Sequence, residues 1–542
     1  MMPKQPNILF IICDDLAWGD LSCHGNPHIS TPHLDQMRAT GTSLSGYRSG
    51  PLCTPARACL MTGRYQQRTR AIDTYCGRSM IDPSERTLAQ VLGGAGYRTG
   101  LFGKWHLGDC HPMRPCDLGF DDSLWHRGGG IGQQGDHPSN HAKHAAGGGS
   151  YFNPVCCRGT EDVATTGYCT DVFTDAAIEF VSHPHQAPFF AYLAFNAPHT
   201  PLEVGAEWAQ PFLNAGLPDK AAQLYGMVAN IDHNVGRIIA ALDQHGLSES
   251  TLLVFTSDHG PCGSAKINGK TRWNADLRDY KGSLFEGGVR VPCLLRWPGT
   301  LQADHRIDAP THPIDWLPSF AALCGAETPT DRCIDGVDLS PALLASEPVP
   351  ERDLFFQWHR GDTPEIERNA GLLRWPWKWY SDKNCTEHLF NLSTDPLERH
   401  NLIAAEGQRA DTMRADYRNW FTEVGSERCN NYDPPPITVG GAATNVRLSR
   451  NDWRVIGPDG WSENERGRWW ITAPEHGRFT VSLSFDPGAP IENCCLAVDA
   501  ELYRGGTTQT IDLAAGPHLI EAWCTDQKAR RSALYVELST PD

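Results

Sequence analysis

Cys53 opens the stretch with the most chemical promise, Pro51-Leu52-Cys53-Thr54-Pro55-Ala56-Arg57-Ala58-Cys59-Leu60-Met61-Thr62-Gly63-Arg64. Proline suits the first turn of a helix, where its missing N–H costs nothing. Residues 56–61 are good helix formers and Gly63 can close the helix. Cys53 would then sit just before a helix N-terminus, where unpaired N–H groups and the helix dipole favour an anion. Arg57, one turn in, adds a planar cationic fork suited to a pair of sulfate or phosphate oxygens. On these residues alone two other readings stay open, a buried packing cysteine and a thiolate activated by the helix end.

The other candidates stand where apolar runs stop. Asn7-Ile8-Leu9-Phe10-Ile11-Ile12-Cys13 reads as a central parallel strand buried on both faces, and it ends in Asp14-Asp15. Adjacent carboxylates there repel each other unless a positive centre lies between them. That end of an open α/β sheet is also where ligands bind; a solvated turn is the plain alternative. A strand over 251–257 runs into Asp258-His259, and one over 189–195 into Asn196-Ala197-Pro198-His199. A strand from Arg98 delivers Lys104 and His106, two residues apart and so on one side. A lysine and a histidine together suit holding an anion and moving a proton. A surface lysine and a packed histidine would be the default elsewhere.

Three stretches resemble the type I, formylglycine-dependent sulfatases of the alkaline phosphatase superfamily, arylsulfatase A-like enzymes. The Cys53 stretch matches C-x-P-x-R-x-x-x-x-T-G, and Gly96-Tyr97-Arg98-Thr99-Gly100-Leu101-Phe102-Gly103-Lys104-Trp105-His106 matches G-Y-x-T-x-x-x-G-K-W-H. Lys281-Gly282-Ser283-Leu284-Phe285-Glu286-Gly287-Gly288-Val289-Arg290-Val291-Pro292 is similar to K-x-x-x-x-E-G-G-x-R-x-P, and the likeness spans about residues 7–430. It implies that a maturation enzyme converts Cys53 to Cα-formylglycine. It also implies that Asp14, Asp15 and Asp258 hold one divalent cation, Ca2+, together with residue 53. Arg57, Lys104, His106, His199 and Lys281 would surround the sulfate. His259 would either ligate the cation or hydrogen-bond the sulfate or the formylglycine oxygen, and Glu286 reads as structural. The implied activity is sulfate ester hydrolysis through a formylglycine hydrate and a covalent sulfo-enzyme. The alternatives are a phosphonate or phosphate ester hydrolase of the same superfamily and an inactive sulfated-glycan-binding homologue.

These residues need a scaffold. Strands and helices alternate to about residue 325, which predicts a doubly wound, mostly parallel α/β layer. Helices are expected from the Asp82-Pro83-Ser84-Glu85 signal to Gly93 or Gly94, from a Thr170 cap to Ser182, and over 219–245. Short strands between 354 and 390 and a helix to Val424 predict a small antiparallel sheet. Asp433-Pro434-Pro435-Pro436 is a stiff linker, and alternating strands beyond it predict a β-sandwich. The expected domains are 1–345, 346–432 and 437–542. Residues 126–150, rich in Gly and His (His137, His141, His144), read as a loop near the site's mouth. The accessory sandwich and that loop point to a sulfated polysaccharide or oligosaccharide. Trp453, Trp461, Trp469 and Trp470 could stack on sugars or serve packing and docking.

Composition sets outer bounds. A formal charge of −17 over 542 residues argues against a nucleic-acid partner. The apolar runs are too short to cross a bilayer, so no membrane partner is expected. The 19 cysteines, with vicinal pairs Cys156-Cys157 and Cys494-Cys495, do not form a regular disulfide framework. No secretory leader precedes the first strand, and a cytoplasmic location is the expectation.

Overall fold

A ten-stranded sheet carries the site. In the computed structural model, which describes residues 5–184, 186–263, 266–267, 270–455, 465–486, 493–525 and 530–540, its strand order is His305–Ile307, Thr42–Leu44, Cys293–Arg296, Thr251–Ser257, Asn7–Cys13, Phe189–Ala194, Arg98–Lys104, Asp122–His126, Val155–Arg158 and Glu161–Ala164. The five strands from Thr251–Ser257 to Asp122–His126 run parallel, so their carboxyl ends lie side by side. Ile12 pairs with both Thr256 and Ala194, which aligns the ends that carry Asp14, Asp258 and His199.

The central strand shows why the run is continuously apolar. Ile8, Phe10 and Ile12 enter a core with Leu60, Met61, Trp316 and Phe320. Leu9, Ile11 and Cys13 enter the opposite core with Phe173, Phe180, Leu224 and Val235. Alternate side chains thus leave water on both faces, each large one contributing roughly 1.5–3 kcal/mol. Gly103 lies at φ 113°, and a Cβ there would fall 1.9 Å from the Ala194 carbonyl oxygen. No other residue lets these strands close just before Lys104.

The helices fall near their expected places, with instructive shifts. The long helix is Asp219–Gln244, and the one expected from Thr170 is Cys169–Ser182. Cys53 is the first residue of its own helix, Cys53–Thr62, which Gly63 ends at φ 68°. The Asp82 signal, however, makes only a turn. The helix is Leu88–Gly94, because Thr87 and Gln90 form a reciprocal cap. Glu85 is drawn instead to buried Arg64, at 2.8 Å. The loop over 126–150 contains a two-turn helix, Pro138–Ala145.

Leu354–Gln357, Ala370–Arg374, Trp377–Ser381 and Glu387–Asn391 form an antiparallel sheet. The helix Gly407–Ser426 covers one face through Ala410, Met413 and Tyr417. The other face meets Leu284, Phe285 and Val289. At that seam Glu286 binds Arg48 at 2.8 Å and Lys378 at 2.9 Å, the latter also 2.9 Å from Glu398, all buried. Glu286 is structural, as expected.

Beyond Ile437 the chain forms two mainly antiparallel sheets, one ordered Ile437–Thr438, Gly467–Ala473, Gly516–Thr525, Cys494–Val498, Glu501–Gly505, the other Asn445–Ser449, Tyr535–Ser539, Gly477–Ser484, Thr508–Leu513. Their apolar faces merge with one core of the large sheet. Trp453 and Trp469 are fully buried with ring centroids 5.4 Å apart, so they pack rather than offer a sugar platform. Trp470 is half-buried, and Trp461 lies outside the described residues.

Candidate active site

Three carboxylates converge at the aligned strand ends. Asp14, Asp15 and Asp258 are buried, and the Asp15 backbone N–H points at Asp258 Oδ1, 3.4 Å away. Asp15 holds φ 70°, a left-handed conformation costly for a residue with a side chain. That strain lets two consecutive carboxylates serve one centre. Cys53 Sγ lies 3.4 Å from Asp14 Oδ1 and 3.0 Å from His259 Nε2. His259 Nδ1–H donates to the Gly260 carbonyl at 2.9 Å, which turns Nε2 toward the thiol and Asp258 Oδ1, 3.3 Å away.

Cations occupy the outer side of this cage. Lys104 Nζ is 2.6 Å from Asp14 Oδ2, and Lys281 Nζ is 2.7 Å from Asp15 Oδ1. Arg57 Nε and Nη2 donate to Asp258 Oδ2 at 3.1 and 2.9 Å, and Nη1 to the Lys104 carbonyl at 3.1 Å. The Arg57 fork is therefore spent on Asp258 and the Lys104 backbone. Burial would push both aspartates up. The outcome is the reverse, because Lys104 and His199 hold Asp14 well below the carboxylate range, and Lys281 and His199 lower Asp15. For His259, burial is outweighed by Asp258 and Cys53, which raise it to about 9.

The remaining two histidines both hold a proton less readily than a free imidazole. Burial and the nearby Lys104 hold His106 well below the usual imidazole value. Its Nε2–H donates to the Thr74 carbonyl at 2.8 Å, which leaves Nδ1 as an unpartnered acceptor. His106 sits at φ 60°, with Thr54 Oγ1–H donating to its carbonyl at 3.0 Å. Burial also lowers His199, whose Nδ1–H donates to the Thr200 carbonyl at 2.7 Å, leaving Nε2 to face Asp15 Oδ2 at 3.9 Å.

Above the cage lies a cavity of about 150 Å3, lined by Cys53, His106, His199 and Lys281 together with Thr74, Gln133, Arg360 and Asn451. All ten residues singled out in the sequence meet here. Cys53, His106, His199 and Lys281 face the cavity, whereas Arg57 and Lys104 stand behind Asp258 and Asp14. Gln133 comes from the loop expected near the site's mouth, whereas nothing in the sequence marked Thr74, Arg360 and Asn451, from three further segments, as parts of this wall. His141 binds the Gly132 carbonyl at 3.1 Å and joins no group of possible ligands found among the described residues.

The donor set fits a cation. Ligand atoms of Asp14, Cys53, Asp258 and His259 all lie within 4.8 Å of one another, as do those of Asp14, Asp15 and His199. Asp15 Oδ2 is buried without a hydrogen-bond partner, a costly state unless a positive centre takes it up.

A doubly wound sheet that ends in a carboxylate cage able to hold a cation, with histidines and lysines around a buried cysteine, suits a hydrolase of anionic esters. Comparison with known proteins agrees. The Sulfatase family model matches residues 6–326, and the model described as "N-sulphoglucosamine sulphohydrolase, C-terminal" matches 278–419. The chain belongs to the sulfatase family, and it is a sulfuric ester hydrolase. It is 32% identical to steryl-sulfatase of Mus musculus over 453 residues, 69% of this chain and 70% of that protein. It is 33% identical to N-acetylgalactosamine-6-sulfatase of Canis lupus familiaris over 466 residues, 76% and 84% of the two chains. The crystal structure of Ps i-CgsB in complex with k-i-k-neocarrahexaose superposes with TM-score 0.70 at 31% identity, covering 80% of this chain and 94% of that one.

Proposed function

We propose that the chain removes sulfate from a sulfated saccharide, with Cys53 converted to Cα-formylglycine and one Ca2+ held by Asp14, Asp15, Asp258 and residue 53. The observation that carries the reading is the position of Cys53: its side chain joins the carboxylate cage to the cavity that His106, His199 and Lys281 line. Three carboxylates favour a hard cation, and an oxygen at position 53 would suit it better than sulfur does. The cation would withdraw charge from the sulfuryl oxygens and favour ionisation of one hydroxyl of the aldehyde hydrate.

The chain's own residues do the rest. The ionised hydroxyl on residue 53 attacks sulfur, the S–O bond to the sugar breaks, and Lys281, or His199 once it is protonated at Nε2, supplies the proton to the departing oxygen. His106, neutral and with Nδ1 open, takes the proton from the second hydroxyl. The C–O bond to sulfate then breaks and the aldehyde returns. Arg57 and Lys104 act from behind, fixing Asp258 and Asp14. Residues 1–345 and 346–432 make up this catalytic unit in our reading, with 437–542 as an accessory unit. The saccharide assignment is supported by relatives named for N-acetylgalactosamine 6-sulfate and for a neocarrahexaose complex. No helix among the described residues is long and apolar enough to cross a membrane.

The test is the mass of tryptic peptide 49–57 from protein co-produced with a formylglycine-generating enzyme. It is combined with sulfate release from 4-nitrophenyl sulfate, N-acetylgalactosamine 6-sulfate, glucosamine 6-sulfate and carrageenan oligosaccharides. An aldehyde at residue 53 and release from at least one saccharide are expected. An intact thiol in active protein refutes the nucleophile, and turnover of phenylphosphonate esters in preference to all sulfates refutes the substrate class.

A further inference from the structure

We propose that Asn451, contributed by the C-terminal sheets, binds the saccharide: its Oδ1 accepts a hydrogen bond from a sugar hydroxyl or amide N–H. This rests on the saccharide reading above. Asn451 lines the same cavity as Cys53 and is 2% exposed. Its Nδ2 donates to Ser79 Oγ at 3.2 Å, and the neighbouring Asp452 carboxyl also accepts from this amide. The Asp452 carboxylate accepts only, so that contact fixes which end of the amide is which, and the Ser79 hydroxyl is compatible with it. Oδ1 is left buried with no partner. An acceptor placed at a cavity wall without a donor is costly to maintain unless a ligand supplies the donor.

The position is also held rigidly, which suits recognition more than an incidental contact. The Asn451 carbonyl accepts from Gly77 N–H at 2.7 Å, and its own N–H donates to Ser449 Oγ at 3.1 Å. Trp469 Nε1–H anchors the Ser449 carbonyl at 2.6 Å. At Gly135, φ 100°, a Cβ would come 2.6 Å from Asn451 Cβ, so the loop over 128–136 closes against it. A wall fixed from three sides binds with little ordering cost. The sulfate end of the ligand meets the cage and its cations. Beside the cage and its cations, Asn451 adds a neutral acceptor to the cavity lining, which favours a ligand rich in hydroxyls over an aromatic ring.

The experiment compares kcat/KM for the fastest saccharide of the panel (N-acetylgalactosamine 6-sulfate, glucosamine 6-sulfate, carrageenan oligosaccharides) with kcat/KM for 4-nitrophenyl sulfate. In Asn451→Ala the saccharide-to-aryl ratio is expected to fall about tenfold, the value of one hydrogen bond. An unchanged ratio overturns the proposal. A second measurement does not need that variant to fold. In Cys53→Ala protein, the same saccharide should slow amide hydrogen exchange over residues 445–455, and inorganic sulfate should not. Protection of residues 53–62 without protection of 445–455 overturns it. A parent protein that cleaves 4-nitrophenyl sulfate and none of the saccharides overturns the saccharide reading itself, and this inference with it, before any variant is made.

Discussion

The pair Arg57 and Asp258 offers a test of the cage that needs no maturation at all. Both side chains are fully buried, and the guanidinium places two donors on one carboxylate oxygen at 2.9 and 3.1 Å. Removing one partner of such a pair leaves a bare charge in a low dielectric and costs about 3–5 kcal/mol. His259, 3.3 Å from the other Asp258 oxygen, softens the loss when Arg57 goes. Arg57→Met, close to arginine in volume, should therefore sit near the lower end of that range. Asp258→Asn strands the guanidinium and should sit nearer the upper end. In the double variant neither charge remains. Its cost should match the worse single change, leaving a coupling equal to the milder one, about 3 kcal/mol. Calorimetric melts of the cysteine form would show each single change as a Tm drop on the order of 3–5 °C. Additive drops, or a Tm for Arg57→Met within a degree of the parent, would refute the reasoning.

Other outcomes follow from the same geometry. Burial pushes Asp452 up to about 6, with buried Asp109 also raised beside it. The folded protein thus binds an extra proton between about pH 4 and 6, and stability from this site is complete below the unfolded value and lost as pH rises through about 6. Asp452→Asn mimics the protonated group, so its Tm relative to the parent should rise across that window by the equivalent of about 2–3 kcal/mol; a constant offset from pH 4 to 8 would count against it. Glu286→Gln should lower Tm by several degrees, since Arg48 would lose its carboxylate partner and Lys378 would keep only Glu398, while kcat on 4-nitrophenyl sulfate changes less than about threefold. A large kcat loss would place Glu286 in the chemistry. Chelation with EDTA should lower Tm, and added Ca2+ should restore it by an amount growing with the logarithm of concentration; a Tm indifferent to both argues against a cage built for a cation.

Much of the site was legible in the sequence because its residues sit at the ends of strands. Asp14-Asp15, Asp258-His259 and the Lys104/His106 pair each follow a run whose apolar character marks a buried parallel strand. Parallel strands must finish on one side. That these residues meet at one edge of the sheet thus follows from local pattern and topology, whereas their roles toward a cation and a sulfate were what the resemblance to sulfatases implied. What could not be read is the choice between competing local devices and the far wall. The Asp82 signal has every mark of a cap, yet Thr87 and Gln90 form it. The buried guanidinium of Arg64, 21 residues away from Glu85, decided between them. Asn451 lies in a turn with no helical or strand period. Only the docking of Gly77 and Ser79 against it brings it to the cavity. Trp453 and Trp469 carried the opposite lesson, since their aromatic character said nothing of which side would be covered.

The near-total burial of Cys53, 2% exposed, has a consequence for the order of events during synthesis. A modifying enzyme that must grasp the chain around this thiol cannot do so once the cavity is complete. Asn451, which closes one wall, leaves the ribosome about 400 residues after Cys53. At about 5–20 residues per second, that separation amounts to roughly 20–80 s. If residue 53 is converted as proposed, the Cys53 helix is open to the modifying enzyme during this interval, and the tail of the protein acts as a clock on that conversion. Faster closure would trap the thiol unmodified inside a finished fold.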